Sequence, residues 1–398
     1  MTLVLDERPA LAGAPGVHCL IAGVSHYPHL PGGGGPAAEK SYGMRQLSST
    51  AATAYRVYRW LLDRRDRLPL PLATVRLLLS PSPAETAAEP ALAAAADRCT
   101  RAAFAAEARA WRRDARAHRD GMSWFYFAGH GVQRRKGDAV LLLEDFGDPD
   151  EGPLTNAASF DNLFYGMAPP AALTQTVARR QAWFIDACRL APADFRSFEW
   201  LHVPDLWEVE LSGVDDRSAP AFFASLPGAK AYALPGEQTL FSRALLAALE
   251  GSGVDSVGDD DDGAPRYGVT VYSLDRALQA ELAALNDEHG GDQDYVLSGL
   301  VDEALLVRHP AAPEVAVVVE VDPAEAADVV RFEVTDAEDA VRLDVGPPLT
   351  PYPFEGRLPM GFYQVRGTVD PPRDGLADFK RWAQIRPPRQ PVRLRVRR

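Results

Sequence analysis

Five short runs of almost unbroken apolar residues limit the fold more than any other feature of the chain: VHCLIAGV (17–24), TVRLLLS (74–80), SWFYFAG (123–129), AVLLLED (139–145) and AWFID (182–186). A strand with one wet face alternates polar and apolar residues. These runs barely alternate, which predicts strands covered on both faces. Between them, 46–63, 90–119 and 171–180 carry apolar residues at helical spacing. Strands alternating with helices predict an α/β fold, with a mostly parallel sheet flanked by helices on both faces. APAFFASLPG (219–228) and AKAYAL (229–234) are expected to add strands, and TLFSRALLAALEG (239–251) and VYSLDRALQAELAALN (271–286) helices.

That character ends near Leu306. From Glu314 onward EVAVVVEV, VVRFEVT, AVRLDV and GFYQVRGTV alternate between Pro, Gly and Asp turns, the pattern of an appended all-β sandwich-like domain. A chain of 398 residues exceeds what one core usually covers. The expected division is therefore 1–309 and 310–398. The Gly-rich acidic segment 251–268 offers nothing to bury and is expected as a solvated loop. Its contiguous aspartates, 259–262, cannot all turn onto one calcium ion.

A net charge of −13 argues against nucleic acid held along the whole surface, and no nucleic-acid partner is expected. The tail from Arg373 is locally basic, nine Lys and Arg against Asp374 and Asp378, and is read as a solvated strand. The N-terminal segment is acidic where a signal peptide would be basic. No run of 18 apolar residues occurs, so no membrane span is expected. Cys19, Cys99 and Cys188 show no pairing pattern, which suits reduced thiols in a cytoplasm.

Chemistry is expected where parallel strands end, because loops converge there while the sheet holds them. WFYFAGHGV delivers His130 from one strand end, and AWFIDACRL delivers Cys188 from another. Neighbouring strands about 4.8 Å apart would bring imidazole and thiol to one substrate carbonyl. The thiolate is the nucleophile, and an imidazole carries its proton. Gly131, with no Cβ, lets its N–H approach a substrate oxygen, so Gly131 and the Cys188 amide are the candidate oxyanion donors. His18, Cys19, His26 and His29 do not form a zinc set, since the first two point to opposite faces of a strand and the others flank a Pro-containing loop. The Gly run 32–35 lacks the Gly-Lys-Ser/Thr ending of a phosphate loop. No metal or cofactor is called for.

FYFAGHG followed by WFIDACR, with Cys188 58 residues after His130, resembles the caspase and metacaspase cysteine peptidases. AFFASLPGAKAYALPGEQTLFSRALLAALEG is similar to that family's small-subunit region. The resemblance therefore covers about 15–308, with large-subunit-like residues near 15–195 and small-subunit-like residues near 218–309. It implies a His130–Cys188 dyad acting on protein substrates, with an upstream activating protease or sensor as partner. Where caspases carry glutamine, Asp186 stands two residues before the cysteine, as in metacaspases, where that aspartate lines the pocket for the residue before the cut. A carboxylate there implies cleavage after Arg or Lys. Arg196 and Arg217 lie in the linker that family members often cut, which makes them candidate processing sites. The segment CRLA departs from the family in lacking the glycine after the cysteine. Two alternatives remain open: a catalytically silent binding module of this fold, and a cysteine hydrolase acting on small esters or amides.

Overall fold

The computed structural model describes residues 2–135, 137–170, 176–190, 201–209, 214–229, 231–232 and 236–397. Seven strands build the central sheet: β1 (Leu3–Asp6), β2 (Val17–Val24), β3 (Leu72–Ser80), β4 (Met122–Gly129), β5 (Arg180–Ala187), β6 (Ala219–Phe223) and β7 (Val296–Leu300). Their spatial order is β1-β3-β2-β4-β5-β6-β7. The five inner strands run parallel, and the two edge strands β1 and β7 pair antiparallel. The chain is thus an α/β protein with a mixed sheet. β2, β3 and β4 are buried along their whole length, as their unbroken apolar sequence requires.

Helices cover both faces of this sheet. On one, α1 (Thr50–Asp63) turns Ala54, Val57 and Trp60 inward, and Trp60 stacks on Trp124 of β4 at 6.4 Å. On the other, α2 (Arg101–Ala115) places Trp111 edge-on to Trp183 of β5, and its indole donates to the His18 carbonyl at 2.9 Å. The apolar stretch 90–119 is broken rather than continuous. Thr100 starts α2 by accepting the Ala103 N–H at 3.3 Å, the usual way a hydroxyl satisfies a first-turn amide.

Two further differences bear on the site. Helix α1 begins at Thr50 and not at Gln46, so 46–49 is left as irregular chain. The run 139–145 supplies only the short strand Val140–Leu142, which joins Gly131–Val132 and Ala157–Ser159 in a separate small sheet. Within the expected helix 171–180, residues 176–178 are irregular and β5 begins at Arg180, while 171–175 lie outside the described residues. Within 229–234 only Ala229, Ala231 and Tyr232 are described, and none is in a strand. Among the described residues no helix is long and apolar enough to cross a membrane.

Contacts divide the chain into two compact units, Met1–Leu246 with Leu282–Leu306, and Ala247–Glu281 with Val307–Arg398. The second crossing lies close to the expected boundary at 309/310, but 247–281 groups with the C-terminal part. The reason is that 251–268 is no featureless loop. Asp255–Asp259 and Pro265–Thr270 form an antiparallel hairpin that continues onto Leu305–His309. Asp260 closes its turn by accepting the N–H groups of Asp262 and Ala264 at 3.0 and 2.8 Å.

Besides that hairpin sheet, the second unit contains two further sheets among the described residues. β8 (Glu314–Asp322) lies between β11 (Phe354–Pro359) and β14 (Arg389–Arg395), and β9 (Val330–Thr335) lies between β10 (Val341–Val345) and β12 (Gly361–Val369), with β13 (Phe379–Ile385) beside β12. Val315, Val317 and Val319 meet Phe332, Val365 and Leu394 in one core, as strict alternation along the strands demands. Part of the basic tail is matched here: Arg389 pairs with Glu355 at 2.6 Å, Arg393 with Glu320 at 3.2 Å, and Arg395 stands opposite Asp322.

Candidate active site

Strand pairing sets the geometry. β4 and β5 are in register with Gly129 opposite Ala187, so His130 and Cys188 each leave the sheet one residue beyond the same rung. Residues opposite one another in a parallel pair share a face. Both line a single cavity of about 280 Å3, with Gln46, Ser49, Asp186, Tyr232 and Thr239 among its other walls. The irregular segment 46–49 is thus part of the site.

His130 is held at three points. Its N–H donates to the Tyr27 hydroxyl at 2.8 Å, that hydroxyl donates to the Leu142 carbonyl at 3.3 Å, and the two rings lie 4.9 Å apart. Its Nε2 lies 2.7 Å from the Arg45 carbonyl oxygen. A carbonyl only accepts, so Nε2 carries the hydrogen and Nδ1 is the basic nitrogen of the neutral ring. Burial lowers the imidazole pKa, and the Arg45 carbonyl opposes this. The ring is therefore neutral near pH 7 and able to accept a proton.

The half-buried Cys188 sulfur receives the Ala231 N–H at 3.3 Å and lies 3.7 Å from the Ala231 carbonyl. An amide donor thus stands where a thiolate would carry its charge. Cys19 and Cys99 are fully buried, and burial pushes both thiols up, as in inert core cysteines.

Asp186 is almost wholly buried. The hydroxyls of Tyr126, at 2.9 Å, and of Thr239 both donate to its Oδ2, while Oδ1 is shielded from water and has no partner among the described residues. Burial raises its pKa to about 6, against the lowering effect of the Thr239 and Tyr126 hydrogen bonds. It is the one carboxylate among the described residues lining the cavity.

Gly131 is buried and does not line the cavity, unlike His130 and Cys188. Close packing, beside any approach to a substrate, requires glycine at this position. A Cβ here would sit 2.4 Å from the Cys188 carbonyl oxygen and 2.9 Å from the Ala187 Cβ. The two strand ends therefore approach each other as closely as they do only because position 131 has no side chain. The Leu142 N–H donates to the His130 carbonyl at 3.0 Å, which makes Gly131–Leu141 the wide pair and turns the Gly131 N–H away from that strand.

Arg217 is not presented for cleavage in this conformation. Its guanidinium is buried, forked onto Asp215 at 2.7 and 2.6 Å, donates to the Phe164 carbonyl at 2.8 Å, and lies over the Phe164 ring. A scissile residue must instead enter a protease cleft in extended form. Arg196 lies outside the described residues.

The histidines near the N-terminus have protein partners. His18 Nδ1 meets the Thr74 hydroxyl at 2.9 Å, His26 lies between the Gly33 carbonyl at 3.1 Å and Arg98 at 2.8 Å, and His29 donates to the Pro36 carbonyl at 2.8 Å. Among the described residues no group of three or more His, Cys, Asp or Glu is arranged to hold a metal.

Sequence reasoning missed Tyr27, Arg45, Tyr126, Thr239 and Ala231. Arg45 and Ala231 act through backbone atoms, so their side chains carry no signal. Tyr126 was legible in principle, because it stands two residues before Ala128, the partner of Asp186 in register, and so shares its face. Compared with known proteins, the sequence matches no family model and no curated protein at a significant level.

Proposed function

We propose that the protein is a caspase-like cysteine endopeptidase that cleaves protein substrates after Arg or Lys in the cytoplasm, with a role in bacterial defence or programmed cell death under the control of an upstream sensor or protease. The observation that carries this reading is that His130 and Cys188 leave adjacent strands at one level and line one cavity. In this reading Cys188 attacks the peptide carbonyl while His130 Nδ1 takes the thiol proton and then delivers it to the departing amine. The amides of Cys188 and Gly131 stabilise the oxyanion, the latter once the cavity opens onto this buried residue. Each such donor is worth about 3 to 4 kcal/mol in comparable sites.

Asp186 selects the substrate. An arriving guanidinium or ammonium supplies the partner that Oδ1 lacks, whereas an acidic side chain meets a like charge. Reaching Oδ1 requires the cavity wall to part, since that atom is closed to water in the unliganded chain. The test is a panel of fluorogenic peptides with Arg, Lys, Asp or Leu before the cut, run beside Cys188→Ala. Turnover of Arg and Lys peptides alone, absent in the variant, supports the proposal. No turnover of any peptide, together with no labelling of Cys188 by an Arg-directed electrophile, favours a binding module. Cleavage of simple esters without basic preference favours a different hydrolase.

A further inference from the structure

The peptidase reading makes no use of the second unit, yet one of its faces is chemically unlike the rest. β12 and β13 pair from Gly361–Ile385 to Gly367–Phe379. Tyr363, Val365 and Ile385 enter the core, so the alternate residues face outward. Along that face run Phe362 opposite Gln384, Gln364 opposite Trp382, and Arg366 opposite Lys380. Phe362 is 58% and Trp382 56% exposed. They are diagonal neighbours across the strand pair, within mutual reach of aromatic side chains.

Charge on this ribbon is also unbalanced. The two strands hold Arg366, Lys380 and Arg381 and no Asp or Glu. Two like charges directly opposite one another destabilise a sheet. Among the described residues no ion pair relieves them, and the nearest carboxylate in register is Glu333, opposite Arg366 on β9. Several cations elsewhere in the unit are matched: Arg331 with Asp344, Arg342 with Asp336, Arg389 with Glu355 and Arg393 with Glu320. The acidic excess of this unit lies in 247–281, with eight acidic and two basic residues, whereas 307–398, which holds the ribbon, contains fourteen of each.

We propose that the outward face of β12 and β13 binds single-stranded nucleic acid, with bases stacking on Phe362 and Trp382 and phosphates meeting Arg366 and Lys380. Aromatic faces beside unpaired cations are the two elements that single-strand recognition combines. Residues two apart on a strand are about 6.8 Å apart, so Lys380 lies one such step from Trp382, and Arg366 two steps from Phe362. A duplex hides its base faces and would engage only the cations. An acidic peptide has the charge without the planar rings. The proposal departs from the expectation of no nucleic-acid partner, which rested on the net charge of the whole chain and not on one ribbon.

The test uses the full chain and fluorescence anisotropy with labelled oligothymidylate and oligouridylate of about 12 nucleotides, a duplex of equal length, and a polyglutamate peptide of equal charge. Binding to a single strand is expected to weaken with salt. Trp382→Ala and Phe362→Ala should each weaken it about 5- to 150-fold, the effect of about 1 to 3 kcal/mol of stacking per base. Arg366→Gln and Lys380→Gln should each lower the slope of log affinity against log salt by about 0.7. All four side chains are on the surface, and circular dichroism checks that the variants remain folded. Failure of the single strands to bind, indifference to Trp382→Ala, or equal binding of duplex or polyglutamate overturns the proposal. None of these outcomes depends on peptidase activity.

Discussion

Replacing Asp186 with asparagine separates the energetic burden of the buried carboxylate from its use. The unfolded chain releases the Asp186 proton near 3.8 and the folded chain near 6. Between those values the folded state binds more protons, so stability is fully present below about 3.8 and is lost as pH rises through about 6. The gap corresponds to about 3 kcal/mol. In Asp186→Asn the amide oxygen still accepts from Tyr126 and Thr239, while the NH2 takes the place of the unpartnered Oδ1. That unsatisfied donor costs about 1 to 3 kcal/mol, but the penalty does not vary with pH. The stability difference, variant minus parent, should therefore shift in favour of the variant by about 3 kcal/mol between about pH 3.5 and about pH 7.5. Urea unfolding followed by tryptophan fluorescence measures this, since every tryptophan among the described residues except Trp382 belongs to the first unit. Cleavage after Arg should fall about 100-fold or more in the same variant. Equal pH dependence in the two proteins would refute the reasoning about burial, whatever happened to activity.

Other outcomes follow from the same geometry. Cleavage of Arg peptides should decline as pH drops through about 6, because Asp186 loses its charge there, and protonation of His130 in acid removes the base as well; a pH–rate profile with no acid limb in that region would contradict this. Gly131→Ala should lower kcat/KM by about 100-fold, the effect of misplacing a reacting group by about 1 Å, because its Cβ cannot coexist with the Cys188 carbonyl at 2.4 Å; single-turnover kinetics with a folded variant will show it. Tyr27→Phe strands the His130 amide and should lower stability by about 1 to 3 kcal/mol with a parallel loss in kcat, measured by denaturation and steady-state kinetics. A Cys188→Ala chain should keep Arg217 uncut on incubation with the active enzyme, because the guanidinium is sequestered; intact mass spectrometry reads this directly.

Much of the frame was legible in the sequence. Runs such as SWFYFAG are so continuously apolar that only a strand covered on both faces suits them, and β2 to β5 lie where those runs stand. The candidate site was legible as far as His130, Cys188 and Asp186, whose residue types and positions at strand ends carry the signal. What surrounds them was not. Arg45 and Ala231 act through backbone atoms that any residue supplies, and Thr239 reaches Asp186 across 53 positions of sequence. The acidic segment misled because composition reports solvation and not pairing. Its aspartates are wet, as expected, yet Asp260 orders the turn between two strands. The run 139–145 misled in the opposite way: apolar character marks burial, but it does not say which sheet does the burying.

The shared rung of Gly129 and Ala187 has a consequence for how such a molecule diversifies. The spacing of ring and sulfur is inherited from the pitch of a sheet, while the remaining walls come from segments that are irregular or begin a helix. In the proposed peptidase, substrate choice can therefore drift through changes around residues 46–49, 231–232 and 239 without disturbing the placement of His130 and Cys188.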